Sequence, residues 1–215
     1  MNYNNKLMHK LERKFGRFAI RNLMMYIVIA QGLVFMVNYL MPESLLVWRL
    51  MFVMPLIRQG EVWRLISFIF LPTGGNVFFV LISMYFYMLL GSGLEGQWGA
   101  FRFNIFYLCG IIGTIIAGTF TWFATNHYLN LSLFLAFAIL FPNFEIRLFF
   151  ILPIKVKWLA AVYTVFLAYS LVINTMAGRI AILVSLINII LFFGKDFISL
   201  IKRWNDRRKW KKNFR

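Results

Sequence analysis

The sequence predicts an all-α polytopic membrane protein with six spanning helices and a long amphipathic first outer loop. Three observations carry this. Of 215 residues, 61% are apolar types and 14% are charged. A soluble domain carries roughly 25% charged residues, so this chain cannot cover a water-facing surface. The apolar residues gather in long runs. The 23 Lys and Arg gather at the ends, six before residue 22 and nine after residue 194, as in cytoplasmic tails beside anionic lipid.

The same numbers exclude other classes. Cys109 is the single cysteine, so no disulfide can form within the chain. Twenty-five Phe, seven Trp and nine Tyr exclude a disordered regulator. The net charge of +16 is terminal, whereas nucleic-acid binding needs a basic face on a folded soluble domain. The N-terminus does not read as a signal peptide: it carries Glu12, its apolar span is long, and no small-x-small site follows.

The elements follow in order. Residues 6–21 place Leu7, Leu11, Phe15 and Phe18 among Lys6, Lys10, Lys14 and Arg17 at helical spacing, which predicts an amphipathic helix on the inner interface. Residues 23–41, 77–94, 103–124 and 158–177 have the length of a bilayer span, about 17–25 residues. Residues 128–141 and 180–194 are shorter. A short segment at membrane depth needs protein or water around its backbone, so 128–141 is expected to be central, shielded by the other helices. Residues 42–64 mix Trp48, Trp63 and Phe52 with Arg49, Arg58 and Arg64, which predicts an amphipathic element in the outer interface. The expected organisation is a basic amphipathic cytoplasmic tail at 1–22, a membrane domain at 23–194 and a basic cytoplasmic tail at 195–215. With the N-terminus inside, 19 basic residues lie inside and four, Arg49, Arg58, Arg64 and Arg179, lie outside. No internal repeat is visible, so an inverted-repeat transporter gains no support.

Several motifs, taken in order, resemble rhomboid proteins. Gly60-Glu61-Val62-Trp63-Arg64-Leu65 resembles the Trp-Arg motif that closes their first outer loop. Leu90-Gly91-Ser92-Gly93-Leu94-Glu95 is similar to the end of their second helix. Trp98-Gly99, Arg102-Phe103 and Tyr107-Leu108-Cys109-Gly110-Ile111-Ile112-Gly113 resemble the following loop and third helix. Residues 136–142 resemble the end of the fourth helix, and 148–157 the connection to the fifth. The resemblance covers residues 60–194 and implies a six-helix rhomboid-like bundle. Read as residues alone, Gly91, Gly93, Gly110, Gly113 and Gly118 permit close helix approach in lipid. Trp63 and Arg64 read as interfacial anchors, and Glu95 and Arg102 stand where they can pair across a loop.

A rhomboid protease uses a Ser–His dyad, with a His and an Asn on the second helix serving the oxyanion. A nucleophile needs a base within hydrogen-bond reach, and the oxyanion needs donors. Each position is altered in this chain. Counting back from Pro142, the nucleophile position holds His127. On the second helix the Asn position holds Ser83 and the His position Phe79. On the sixth helix the His position falls near Ser185. The two histidines are His127 and His9, and His9 lies in the basic tail. His127 and Ser132 are five apart on one helix, about 140° around the axis, too far around for a direct bond. No metal site is expected, since His127 has no Cys partner and no His-Glu-x-x-His motif occurs. No cofactor is implied.

Polar residues at membrane depth, Gln31, Asn38, Ser83, Asn130, Ser132, Ser185 and Asn188, read first as hydrogen-bonding links between helices. Read together, Ser83, Asn130, Ser132, Ser185 and Asn188 are candidates to line a polar cavity between the second, fourth and sixth helices. No ionisable residue lies deep in a span, which argues against a proton-coupled pump.

The resemblance and the altered positions imply an inactive, Derlin-like rhomboid pseudoprotease in a bacterial-type plasma membrane. Such a protein binds transmembrane segments of client proteins without cleaving them and can thin its bilayer, as short spans would suit. The expected partners are the lipid bilayer, anionic headgroups at the basic tails and transmembrane clients, with no nucleic acid. An intramembrane serine protease with displaced residues, a small transporter and a structural membrane subunit stay open as alternatives.

Overall fold

The computed structural model describes residues 6–148, 152–176 and 178–194. The C-terminal tail at 195–215 lies outside these described residues. Helix α1 spans Lys6–Phe15 and ends in a 3-10 turn at Gly16–Phe18. Asn22, in the left-handed region at φ 54°, turns the chain into α2, Leu23–Leu40. The first long loop holds short helices α3, Leu46–Leu50, α4, Met54–Arg58, and α5, Arg64–Ser67, with a strand β1, Phe52–Val53, between α3 and α4. Then come α6, Val77–Trp98, α7, Ala100–Thr121, strand β2, Phe123–Ala124, and α8, His127–Leu140. A hairpin of β3, Glu145–Leu148, and β4, Leu152–Lys155, leads to α9, Val156–Ile173. The last described helix, α10, is Gly178–Gly194.

Helices α2, α6, α7 and α9 are long and apolar enough to cross a membrane, and α8 and α10 are shorter apolar helices. The chain is an all-α polytopic membrane protein. The outward faces are apolar, as at Leu33, Tyr85, Val165 and Val172. Lipid solvates such side chains, so outward apolarity costs nothing in a bilayer.

Helix α8 is the centre. Leu129 through Leu133 and Leu135 through Ala138 are all buried. It packs against α6, α7 and α9. At about 1.5 Å per residue its 14 residues span about 21 Å, short of a bilayer core of roughly 30 Å. Its neighbours shield it, so its shortness presents no mismatch to lipid. The bilayer thinning expected from short spans therefore gains nothing from α8.

Glycines set the helix spacing. A Cβ on Gly91 would collide with Met24 of α2, and one on Gly110 with Leu129 of α8. On Gly113 it would meet Val184 of α10 at 2.7 Å, and on Gly118 it would meet Phe52 of the loop at 2.5 Å. Packing of this kind holds helices together where lipid removes the hydrophobic drive.

The first loop departs from one amphipathic element in the interface. Part of it tucks inward: Phe52, Val53, Phe68 and Ile69 are buried, while Trp48, Val62 and Trp63 stay exposed. β1 pairs antiparallel with β2, Phe52 opposite Ala124. This clips the loop to the start of α8.

Candidate functional site

The five residues expected to line a polar cavity belong to two groups. The first lies where α7, α8 and α10 meet. Gly110 lets Leu129 and Asn188 approach α7. Asn188 Nδ2 donates to the Phe106 carbonyl at 3.4 Å and to Ser132 Oγ at 3.3 Å. Ser132 Oγ in turn donates to the Leu129 carbonyl at 2.7 Å. Ser185 Oγ donates to the Ile182 carbonyl in its own helix at 2.8 Å. All three polar residues are buried, and Asn188 Oδ1 has no hydrogen-bond partner among the described residues. Beside this group a cleft of about 240 Å³ opens between α7, the start of α8 and α10, lined by Thr114, Gly118, Thr121, Tyr128, Gly178 and Ala181.

The second group lies toward α6. Ser83 Oγ donates to the Thr73 carbonyl at 2.6 Å and to the Val80 carbonyl at 2.8 Å. Asn130 is buried. The Tyr87 side chain lies next to Asn130 and Thr73.

The expected cavity of Ser83, Asn130, Ser132, Ser185 and Asn188 is therefore not one site. Asn130 and Ser132 are two residues apart on α8, about 200° around its axis. One faces α6 and the other faces α10. The structure joins Ser132 to Asn188 and leaves Ser83 with the loop before α6.

The remaining altered positions stand apart from both groups. His127 is exposed at the start of α8, and its Nε2 lies 3.1 Å from the Tyr163 hydroxyl of α9. Its ring meets Tyr128 edge-on at 5.3 Å. It makes no bond to Ser132 or Ser185. Phe79 is 53% exposed, and its backbone N–H serves the Asn76 cap of α6 at 3.1 Å. His9 lies in α1 by its backbone. Among the described residues, no three His, Cys, Asp or Glu side chains come together to hold a metal ion.

The scaffold residues have structural partners. Arg64 is 2% exposed, so it is not an interfacial anchor. Its guanidinium donates to the carbonyls of Trp48 at 2.6 Å and Met51 at 2.8 Å and pairs with Glu61. A buried guanidinium with several acceptors cross-braces the loop. Trp63 remains at the surface, its indole N–H on the Arg49 carbonyl at 3.3 Å. Glu95 and Arg102 do not pair with each other. Glu95 Oε1 accepts the Asn22 N–H at 2.7 Å, where a carboxylate complements the N-terminal dipole of α2. Arg102 reaches Glu12 of α1 at 3.5 Å.

Two residues have partners that spacing did not reveal. Asn126 Nδ2 donates to the Leu71 carbonyl at 2.7 Å and the Ile69 carbonyl at 3.4 Å. Gln31 Nε2 of α2 reaches the same Ile69 carbonyl at 2.9 Å. Together they fasten the end of the first loop between α2 and α8. A polar residue just before an apolar run signals a helix start, and Asn126 is one, but its side chain crosses to the loop instead of capping α8.

No family model matches the chain. Over 66 residues, 30% of its length, it is 33% identical to rhomboid-like protease 1 of Toxoplasma gondii. The match spans 22% of that relative's length.

Proposed function

We propose that this chain is a rhomboid-like membrane pseudoprotease that binds transmembrane segments of client proteins without cleaving them. The observation that carries the reading is the fate of the hydroxyl and the imidazole on α8. Ser132 is buried against Leu129 and Asn188, and His127 is turned outward to Tyr163. A serine hydroxyl without a base in reach has no route to alkoxide-like reactivity at neutral pH. The similarity to a rhomboid-like protease over 66 residues supports the scaffold half of the reading.

The place for a client is the seam between α6 and α9. Phe134 is the one residue within Leu129–Ala138 that is not buried. Its ring lies 5.8 Å from Phe86 of α6 and 6.3 Å from Tyr163 of α9. The basic end of the bundle faces anionic lipid in a bacterial-type plasma membrane, with both tails cytoplasmic.

A photo-reactive residue in place of Phe134, in the full chain in its own membranes, tests client binding. The expected products are adducts with transmembrane segments of intact membrane proteins. Adducts with lipid alone would overturn the reading.

A further inference from the structure

The basic end carries a surface that neither client binding nor the altered dyad uses. Helix α1 and the turn after it present three distinct sides. At about 100° per residue, Leu11 and Phe15 lie about 40° apart on one side. They are 42% and 43% exposed, and Phe18 in the following turn is 66% exposed. Glu12 lies about 100° away, on the side that meets α7, and pairs with Arg102 at 3.5 Å. Lys10 and Lys14 lie on the opposite flank, both exposed, and Arg13, Arg17 and Arg21 are exposed as well. Lys14 Nζ sits 5.4 Å from the Phe15 ring centre, and the Arg17 guanidinium 4.8 Å from that of Phe18.

An exposed apolar row flanked by cations is the chemistry of a helix lying in an anionic membrane surface. The row enters the acyl boundary while the long cationic side chains reach back to the phosphates. The lone acid among the described residues of α1 is the one spent on the bundle. Glu12 connects this helix to Arg102 at the start of α7, and the Asn22 N–H, between this helix and α2, meets Glu95 near the end of α6.

We propose that α1 and its following turn form a binding site for anionic phospholipid headgroups, with Lys10, Arg13, Lys14 and Arg17 as the cations and Leu11, Phe15 and Phe18 inserted. The Glu12–Arg102 pair transmits occupancy to the spanning helices. This deepens the reading that the basic end faces anionic lipid. It does not depend on client binding, and adducts from position 134 report on that separately.

The test uses the full chain, with its C-terminal tail intact and Cys109→Ser, carrying a spin label at Phe18→Cys. It is placed in nanodiscs of phosphatidylcholine alone or with phosphatidylglycerol. Depth is read by power saturation with oxygen and a water-soluble nickel chelate. The label is expected below the headgroups with phosphatidylglycerol and to return toward water in phosphatidylcholine, in high salt, or in K10Q/R13Q/K14Q/R17Q. The milder K10Q/K14Q variant should give part of that loss if the fourfold variant does not fold. Phosphatidylglycerol should raise the unfolding temperature of the parent chain, and Glu12→Gln should abolish that rise while leaving the label at depth. A label depth indifferent to phosphatidylglycerol and to the cations would overturn the headgroup site. A temperature rise that survives Glu12→Gln would overturn the coupling.

Discussion

Asn188 Nδ2 of α10 lies 3.3 Å from Ser132 Oγ of α8. Ser132 itself donates to the Leu129 carbonyl. The hydroxyl nearest to a catalytic role thus spends its proton on backbone and its lone pair on an amide. An amide has no useful basicity, so the contact holds helices together and does not activate an oxygen. Interhelical bonds of this kind contribute about 0.6–2 kcal/mol in membranes. A double-mutant cycle with Ser132→Ala and Asn188→Ala should give a coupling near the low end, about 0.6 kcal/mol, read by unfolding in mixed micelles. A coupling near zero would remove the contact from the account.

Gly91→Ala places a methyl against Met24, whereas Gly96→Ala meets nothing within 4 Å. Both glycines lie in α6. The first substitution should destabilise by about 1–3 kcal/mol through overpacking. The second should be neutral or stabilising by up to about 1 kcal/mol through helix propensity. Thermal unfolding of the two variants side by side checks the pair. Equal effects would mean that α2 and α6 are not in the close contact described.

Arg64 is expected to tolerate neither Ala nor Lys. Alanine leaves the Trp48 and Met51 carbonyls without their donor. Lysine keeps the charge but not the planar fork that reaches both. Loss of charge-assisted hydrogen bonds of this kind costs about 1.5–3 kcal/mol. Limited proteolysis should then cut within residues 42–64 in both variants, while the parent chain resists.

Glu95→Gln should cost less, about 0.3–1 kcal/mol, because its oxygen still accepts the Asn22 N–H while the favourable charge at the α2 N-terminus is lost. Glu95→Ala removes the acceptor too and should cost more. Unfolding temperatures in the order parent, Gln, Ala check this, and the reverse order would contradict it.

Much of the fold was legible in the chain. The apolar runs marked the spans, and the shortness of 128–141 marked α8 as the shielded centre, because a short span must borrow its environment from neighbours. The glycines Gly91, Gly110 and Gly113 were legible as contact points for the same reason. The candidate site was less so. Ser83, Asn130, Ser132, Ser185 and Asn188 share a depth, but depth does not fix direction, and the two-residue step from Asn130 to Ser132 already placed them on opposite sides of one helix. The partners of Glu95, Arg64 and Asn126 were hidden for another reason. Each bonds to a backbone group whose position is set by a loop turn far along the chain, and no side-chain pattern announces a backbone N–H or carbonyl. Trp63 and Arg64, adjacent and both typical of an interface, went to opposite environments because successive residues at the start of α5 point about 100° apart.

The central claim is that no hydroxyl in this bundle is an activated nucleophile. Fluorophosphonate labelling of the folded full chain in a bilayer, with Ser132→Ala in parallel, tests it most directly. The account predicts no labelling of either protein above the level of heat-unfolded chain. Labelling of the parent chain that Ser132→Ala abolishes would contradict it and make this chain a working serine hydrolase of the membrane.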